Sequence, residues 1–308
     1  MYKSSQEIRK WIYSCKNRFT LYNKLNPIFT DISWKHNVDS KHSIQKKWLS
    51  VQDILVNECP ANIEVGKISS EYALETIQYY KSIEYQYCFY NEGPLGFKIR
   101  NRRYFYIGIP SYLAFEFALK NQISSLSFET SVSEPFLLKN TGRSIKETKT
   151  EFNKMHEYIK RTGSNIQKKL SISCITDCPY NGKTDPLYVV REILDYNRFE
   201  FTEICLCDNM GNIEWDDFEY IVQYCIFFGI PPSKISLQLH VSPKNTEKVQ
   251  KMIRYALSMG INKFDVSNRC EISLKPGSLE YLSYDLFYHT LSDYIEKKGI
   301  HKKLNRIV

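Results

Sequence analysis

No apolar run in this 308-residue chain approaches the roughly 18 residues that a membrane-spanning helix needs. No apolar stretch with a small-residue cleavage site opens the chain, so a secretory signal is not expected. No G-x-G-x-x-G follows the first strand-like run, which removes the usual signature of an open dinucleotide-binding sheet. No short repeat or low-complexity linker divides the chain, so one domain is expected. Basic residues are not interleaved with aromatics on any one element, which argues against a nucleic-acid partner. The nine cysteines are odd in number and scattered, which fits reduced thiols rather than a disulfide framework. A cytoplasmic location is expected.

What is present is ordinary globular composition, 43% hydrophobic and 25% charged, enough for one large core. The net charge of +8 would suit an anionic ligand, or is simply a lysine-rich solvated surface. Ser4 with Glu7 forms a capping-box pattern, and Ile8, Trp11, Ile12, Cys15 and Phe19 then share one helical face. Residues 1–26 read as a helical extension that plugs the bottom of a barrel. The alternative for this basic segment is a mitochondrial-type targeting peptide.

From Pro27 onward, strand and helix patterns alternate. Strands are expected at Ile28–Ser33, Ala61–Val65, Arg103–Ile109, Ile123–Phe128, Leu170–Ile175, Phe201–Cys207, Lys234–Val241 and Asn262–Ser267. Helices are expected at Ser43–Val56, Glu71–Ile83, Ser111–Lys120, Ser144–Arg161, Pro186–Tyr196, Glu214–Phe228, Thr246–Met259 and Leu279–Lys297. Ser111, Ser144, Asp185 and Asn245 stand where N-caps belong. Eight such units predict an α/β fold, a (β/α)8 TIM barrel over residues 27–308. A doubly wound open sheet is the other arrangement.

In a parallel barrel the ligand site lies at the carboxyl ends of the strands. Strand seven puts Gln238, His240 and Ser242 on one face and Leu237, Leu239 and Val241 on the other. The other strands contribute polar faces with Asp31 and Ser33, Asn62 and Glu64, Ser125, Ser127 and Glu129, Ser171 and Ser173, and Asp265 and Ser267. These faces should converge inside the barrel, where buried polar groups need partners or a ligand. His240 could equally be a hydrogen-bonded core histidine, and Asp208 could merely cap the next turn. The Cys174–Cys178 and Cys205–Cys207 spacings are poor for a zinc knuckle.

SCITDCPYNGK at Ser173–Lys183, EICLCDNMG at Glu203–Gly211, Leu239-His240 and ALSMGINKFDVS at Ala256–Ser267 resemble hydroxymethylglutaryl-CoA lyase. The likeness extends over Ile107–Thr148 and covers about Tyr104 to Tyr288. That family of metal-dependent barrels cleaves a carbon–carbon bond in a 3-hydroxyacyl thioester. A divalent cation polarises the substrate, a base takes the hydroxyl proton, and the departing enolate is reprotonated.

Position by position, the resemblance implies metal ligands at His240, His36, Glu280 and Ser242, the last standing where the family has a second histidine. It implies catalytic roles for Lys35 in place of the family's arginine, and for Cys270, Asp208 and Glu64. Lysine for arginine exchanges a bidentate fork for a point charge. A His2Glu set suits zinc better than magnesium or manganese, while loss of the metal is the alternative. The loop NRCEISLKPG lacks the family's paired glycines. The implied partner is a small acyl-CoA or hydroxy-acid ligand, whose phosphates the Arg100, Arg102 and Arg103 cluster would suit. No membrane partner is expected, and a homodimer is compatible. The expected function is a lyase of this kind, with a catalytically inactive ligand- or protein-binding barrel as the alternative.

Overall fold

The structure, a computed structural model, describes residues 4–14, 16–34, 62–68, 74, 77, 78, 80–82, 104–267 and 279–304. Eight parallel strands close into a barrel: β1 (Ile28–Trp34), β2 (Asn62–Lys67), β3 (Tyr104–Gly108), β4 (Ser125–Ser131), β5 (Gln167–Ser173), β6 (Glu203–Asp208), β7 (Ile235–Val241) and β8 (Lys263–Val266). Each pairs with the next, and β8 pairs with both β7 and β1. The expected (β/α)8 TIM barrel is the fold. The expected helix at Ser43–Val56 lies outside the described residues, and the one at Glu71–Ile83 is described only at scattered positions.

The remaining helices are α1 (Ser5–Tyr13), α2 (Lys16–Leu25), α3 (Tyr112–Lys120), α4 (Glu134–Thr141), α5 (Ile145–Thr162), α6 (Pro186–Asn197), α7 (Trp215–Phe227), α8 (Thr246–Ser258) and α9 (Tyr284–Leu304). Local chemistry sets their starts. Ser111 caps α3, Ser144 and Glu147 form a full capping box on α5, and the Asp185 side chain accepts the Leu187 amide at the start of α6. Ser4 and Glu7 make the same box on α1.

Several expectations shift. The N-terminal segment is two helices rather than one, and α1 packs on α9 in the outer ring, with Arg9 stacked 4.5 Å above the Tyr288 ring. Helix α4 follows β4 directly, capped by Ser133 and stopped by Gly142 at φ +69. Short strand Glu280–Tyr281 pairs antiparallel with β7, so α9 starts later than expected.

Register decides which residues face inward. Parallel neighbours share a face, so Glu64, Tyr106, Ser125, Ser127, Lys169, Ser171, Glu203, Cys205, Ser236, Gln238 and Asp265 line the lumen together. The apolar faces pack outward, as Phe128, Phe152, Phe199 and Phe201 show by their edge-on contacts. Asp31 also faces outward, against expectation, and accepts a hydrogen bond from the Tyr284 hydroxyl at 2.9 Å. A buried carboxylate was thus paired with the helix layer rather than the lumen.

Lys168 faces the helix layer too. It is 7% exposed, and its ammonium donates to the Phe199 carbonyl at 2.8 Å. Burial, aided by Lys234 and Lys160 and opposed by Glu200, pushes its pKa down to about 8. A folded value below the ordinary lysine value means that the charged form costs stability. That cost is full below pH 8 and disappears above about 10.5, the unfolded value. Lys168→Met is therefore expected to raise stability at pH 7 by about 1–2 kcal/mol after loss of the hydrogen bond. Thermal scans of both proteins at pH 7 and pH 10 check this; a gain that persists at pH 10 counts against it.

Candidate active site at the carboxyl rim of the barrel

The middle of the lumen is an ion cluster. The Lys169 ammonium is fully buried, 2.6 and 2.7 Å from the Asp265 oxygens, 3.2 Å from Glu64 Oε2 and 3.9 Å from Glu203 Oε1. Ser127 donates to Glu64 Oε1 at 2.7 Å, Ser236 to Glu203 Oε1 at 2.9 Å, and Lys263 sits 3.2 Å from Glu203 Oε2. The Cys205 thiol donates to Asp265 at 3.4 Å. Burial opposes the charge on Lys169, but Asp265 and Glu64 outweigh it and hold its pKa well above the ordinary range. Glu64 therefore has both oxygens engaged beneath the rim. It supports the barrel wall there and is not placed as a free-standing base.

The rim is built by the ends of β5, β6 and β7 and the loops that follow. The His240 ring lies on the lumen face and is 9% exposed. Its Nδ1 donates to the Asp208 carbonyl at 2.7 Å, which fixes the proton on Nδ1 and makes Nε2 the basic nitrogen. The Tyr281 ring covers it at 4.5 Å between centroids. Strand pairing aligns Tyr281 with His240 and Glu280 with Val241. Glu280 is therefore exposed and on the opposite face from His240, which separates two of the expected metal ligands. Ser242 is half-buried, with its amide donated to Asn245 Oδ1 at 2.7 Å and its carbonyl taking the Thr246 hydroxyl at 2.8 Å.

Asp208 is 1% exposed and ends β6. Its Oδ1 accepts the Gly211 amide at 3.1 Å and the Thr176 hydroxyl at 3.4 Å, while buried Oδ2 has no hydrogen-bond partner among the described residues. Burial pushes its pKa up to about 6, against the pull of the Ile213 and Gly211 amides and the Thr176 hydroxyl. The carboxyl group therefore caps the loop after β6 while burial favours its protonated form. Asn245, expected as an N-cap, makes no side-chain cap. Its amide instead donates to the Gly211 carbonyl at 2.5 Å and the His240 carbonyl at 3.1 Å, tying the β6 loop to the end of β7. Asn209 Oδ1 accepts the Cys174 amide at 2.9 Å, tying the same loop to β5.

The structure thus brings Asp208 and His240 into contact and leaves Glu64 in the deeper cluster. Lys35, His36 and Cys270 lie outside the described residues. Among the described residues, no group of three His, Cys, Asp or Glu side chains could hold a metal ion. His240 contributes one nitrogen, Glu280 faces away, and the Ser242 amide and carbonyl are engaged in the following turn. These residues do not by themselves fit a divalent cation.

Comparison with known proteins shows what the chain is similar to. No family model matches the chain. A mitochondrial hydroxymethylglutaryl-CoA lyase of Macaca fascicularis is 28% identical over 164 residues, 52% of this chain and 47% of that one. In sequence the chain resembles hydroxymethylglutaryl-CoA lyases at low identity. The match spans about half the length of that curated relative. The lyase structure from Brucella melitensis superposes with a TM-score of 0.63 at 16% identity, covering 92% of this chain and 99% of that one. A lyase from Acinetobacter baumannii, solved with coenzyme A and 3-methylmalate, superposes with a TM-score of 0.63 at 17% identity, covering 89% and 84%. The barrel fold is therefore shared with these lyases. Sequence reasoning alone missed Lys169, Asn245 as a clamp, and Asn209. The only signal for Lys169 was a lysine one residue ahead of the expected start of β5.

Proposed function

We propose that this barrel cleaves the carbon–carbon bond of a 3-hydroxyacyl-CoA thioester or a related hydroxy acid, as a lyase resembling its relatives. The observation that supports this most is His240, held on the lumen face at the strand end with Nδ1 bound to the Asp208 carbonyl at 2.7 Å. In this reading Nε2 takes the proton from the substrate 3-hydroxyl. The C2–C3 electron pair then stays with the thioester fragment as an enolate, and the former alcohol carbon becomes a ketone. Asp208, with a pKa near 6 and a buried oxygen unpartnered among the described residues, is suited to hold the proton that the enolate must regain. Lys35 and Cys270 carry the enolate-stabilising and proton-donating roles that the family resemblance assigns them. A divalent zinc, magnesium or manganese ion remains part of the proposal only through ligands beyond those described, and no step above passes through it. The ligand class is supported by the coenzyme A and 3-methylmalate bound to one relative.

The purified full-length chain should be offered hydroxymethylglutaryl-CoA with each of these cations and after chelation, with acetyl-CoA as the readout. Turnover that His240→Ala lowers by roughly 10²–10⁴-fold, the usual weight of a positioned base, supports the proposal. Turnover unchanged in His240→Ala overturns this role for His240. The second reading is a catalytically inactive barrel that binds a ligand or protein partner. It is favoured by Ser242 in place of a second histidine and by the outward turn of Glu280. Binding of coenzyme A thioesters with no turnover under any of these conditions would select it.

A further inference from the structure

The loop after β5 holds two thiols that the lyase reading does not use. Cys178 is buried at 2% exposure, yet residues 179–183 just beyond it are all exposed, so only one turn separates its sulfur from solvent. Its Sγ lies 2.9 Å from Ser133 Oγ and 3.4 Å from the Tyr180 amide. The Asn181 amide and the Cys174 thiol also act on its acidity, while Ser133 Oγ donates to Asn181 Oδ1 at 3.2 Å. Burial works against the thiolate, but these groups together outweigh it and draw the Cys178 pKa down.

Cys174 is the opposite case. Its backbone is left-handed at φ +61, an uncommon state for a residue with a Cβ, and its amide is anchored on Asn209. Burial pushes its thiol up to about 12. Two interacting thiols thus differ in acidity, the Cys178 thiol drawn down and the Cys174 thiol pushed up.

We propose that Cys178 and Cys174 form a peroxide-sensitive thiol pair that closes to a disulfide. The oxidant is hydrogen peroxide. The Cys178 thiolate attacks one peroxide oxygen, the O–O bond breaks, and the hydroxide released takes a proton to become water. The product is Cys178 sulfenic acid. The Cys174 sulfur then attacks the Cys178 sulfur, the S–O bond breaks, and hydroxide leaves with the Cys174 proton as a second water. Two thiols and one peroxide give one disulfide and two waters. Closure alters the sulfur that Ser133 faces, and Ser133 is also the N-cap of α4. It also pulls on Asn209, next to Asp208. The inference stands whether or not the barrel is a lyase.

The test treats the purified full-length chain with a small excess of hydrogen peroxide, alkylates the remaining thiols, and maps non-reduced peptides by mass. The peptide holding Cys174 and Cys178 is expected to lose two hydrogens and both alkylation sites, with reversal by dithiothreitol. Cys174→Ser should stop at a sulfenic acid on Cys178 that dimedone traps, and Cys178→Ser should abolish both products. If that peptide stays fully alkylatable in the wild-type protein while other cysteines oxidise, the pairing is wrong. Equal oxidation of Cys174 in Cys178→Ser would remove Cys178 as the attacking thiol.

Discussion

Lys169→Met is expected to lower the stability of the barrel by about 3–5 kcal/mol, the scale for breaking a buried ion pair from one side. The ammonium is fully buried and holds Asp265 and Glu64 by direct contacts, with Glu203 at longer range. Methionine keeps the volume and removes the charge, so Asp265 and Glu64 would lose the ion pairs that Lys169 makes with them. Glu203 keeps Lys263. For a chain of this size the loss corresponds to a fall in Tm of roughly 10 °C.

The pH dependence carries a sign. Lys169 has its folded pKa raised, so its contribution is complete below the unfolded lysine value and is lost only as pH rises through the folded one. At neutral pH the full deficit should appear in the variant. It should shrink in acid, as the carboxylates that lost the Lys169 charge take up protons. Thermal scans of wild type, Lys169→Met and the double variant Lys169→Met/Asp265→Asn at pH 5 and pH 7.5 make the check. The double variant should recover part of the loss. A single variant that melts within a degree of wild type would show that the ion cluster does not support the wall.

Gly211→Ala is expected to cost about 2 kcal/mol and to weaken any ligand binding at the rim together with it. Gly211 sits at φ +64, where a Cβ is strained by itself. A Cβ there would lie 2.3 Å from Leu279 Cδ1, 3.2 Å from Asn245 Nδ2 and 3.3 Å from the His240 carbonyl oxygen. The leucine tip can rotate away. The asparagine and the strand-end carbonyl cannot, because Asn245 spans the Gly211 and His240 carbonyls. Relief must therefore shift the turn that caps Asp208 or the end of β7 that carries His240. Gly211→Val should be worse, since a β-branched side chain adds bulk at the same point. Tm and coenzyme A affinity measured on both variants decide the matter. An alanine variant with unchanged Tm and affinity would mean that the rim is looser than these contacts require.

The misplaced expectations have definite physical causes. Apolar–polar alternation begins at Leu170, yet β5 starts at Gln167. The residues skipped, Lys168 and Lys169, look like surface lysines, and only register shows one entering the lumen and the other the helix layer. Asp31 lies among polar neighbours, but strand phase against β8 turns it outward to Tyr284. Glu280 was counted back along an expected helix, while pairing with β7 makes it part of a short strand and reverses its face. Asn245 had the composition of a cap and became a cross-link because three backbone groups of two loops converge on it.

The alternation of strands and helices, the capping of α3, α5 and α6, and the polar face carrying Gln238 and His240 were determined by the sequence alone. These depend on periodicity and on side chains bonding within three residues of themselves, which a linear chain already specifies. Which carboxylates share a cation, which histidine nitrogen is basic and which acid turns away were decided only by barrel closure. Those outcomes depend on the register between strands far apart in the chain, because a shift of one residue sends every side chain of a strand to the other face.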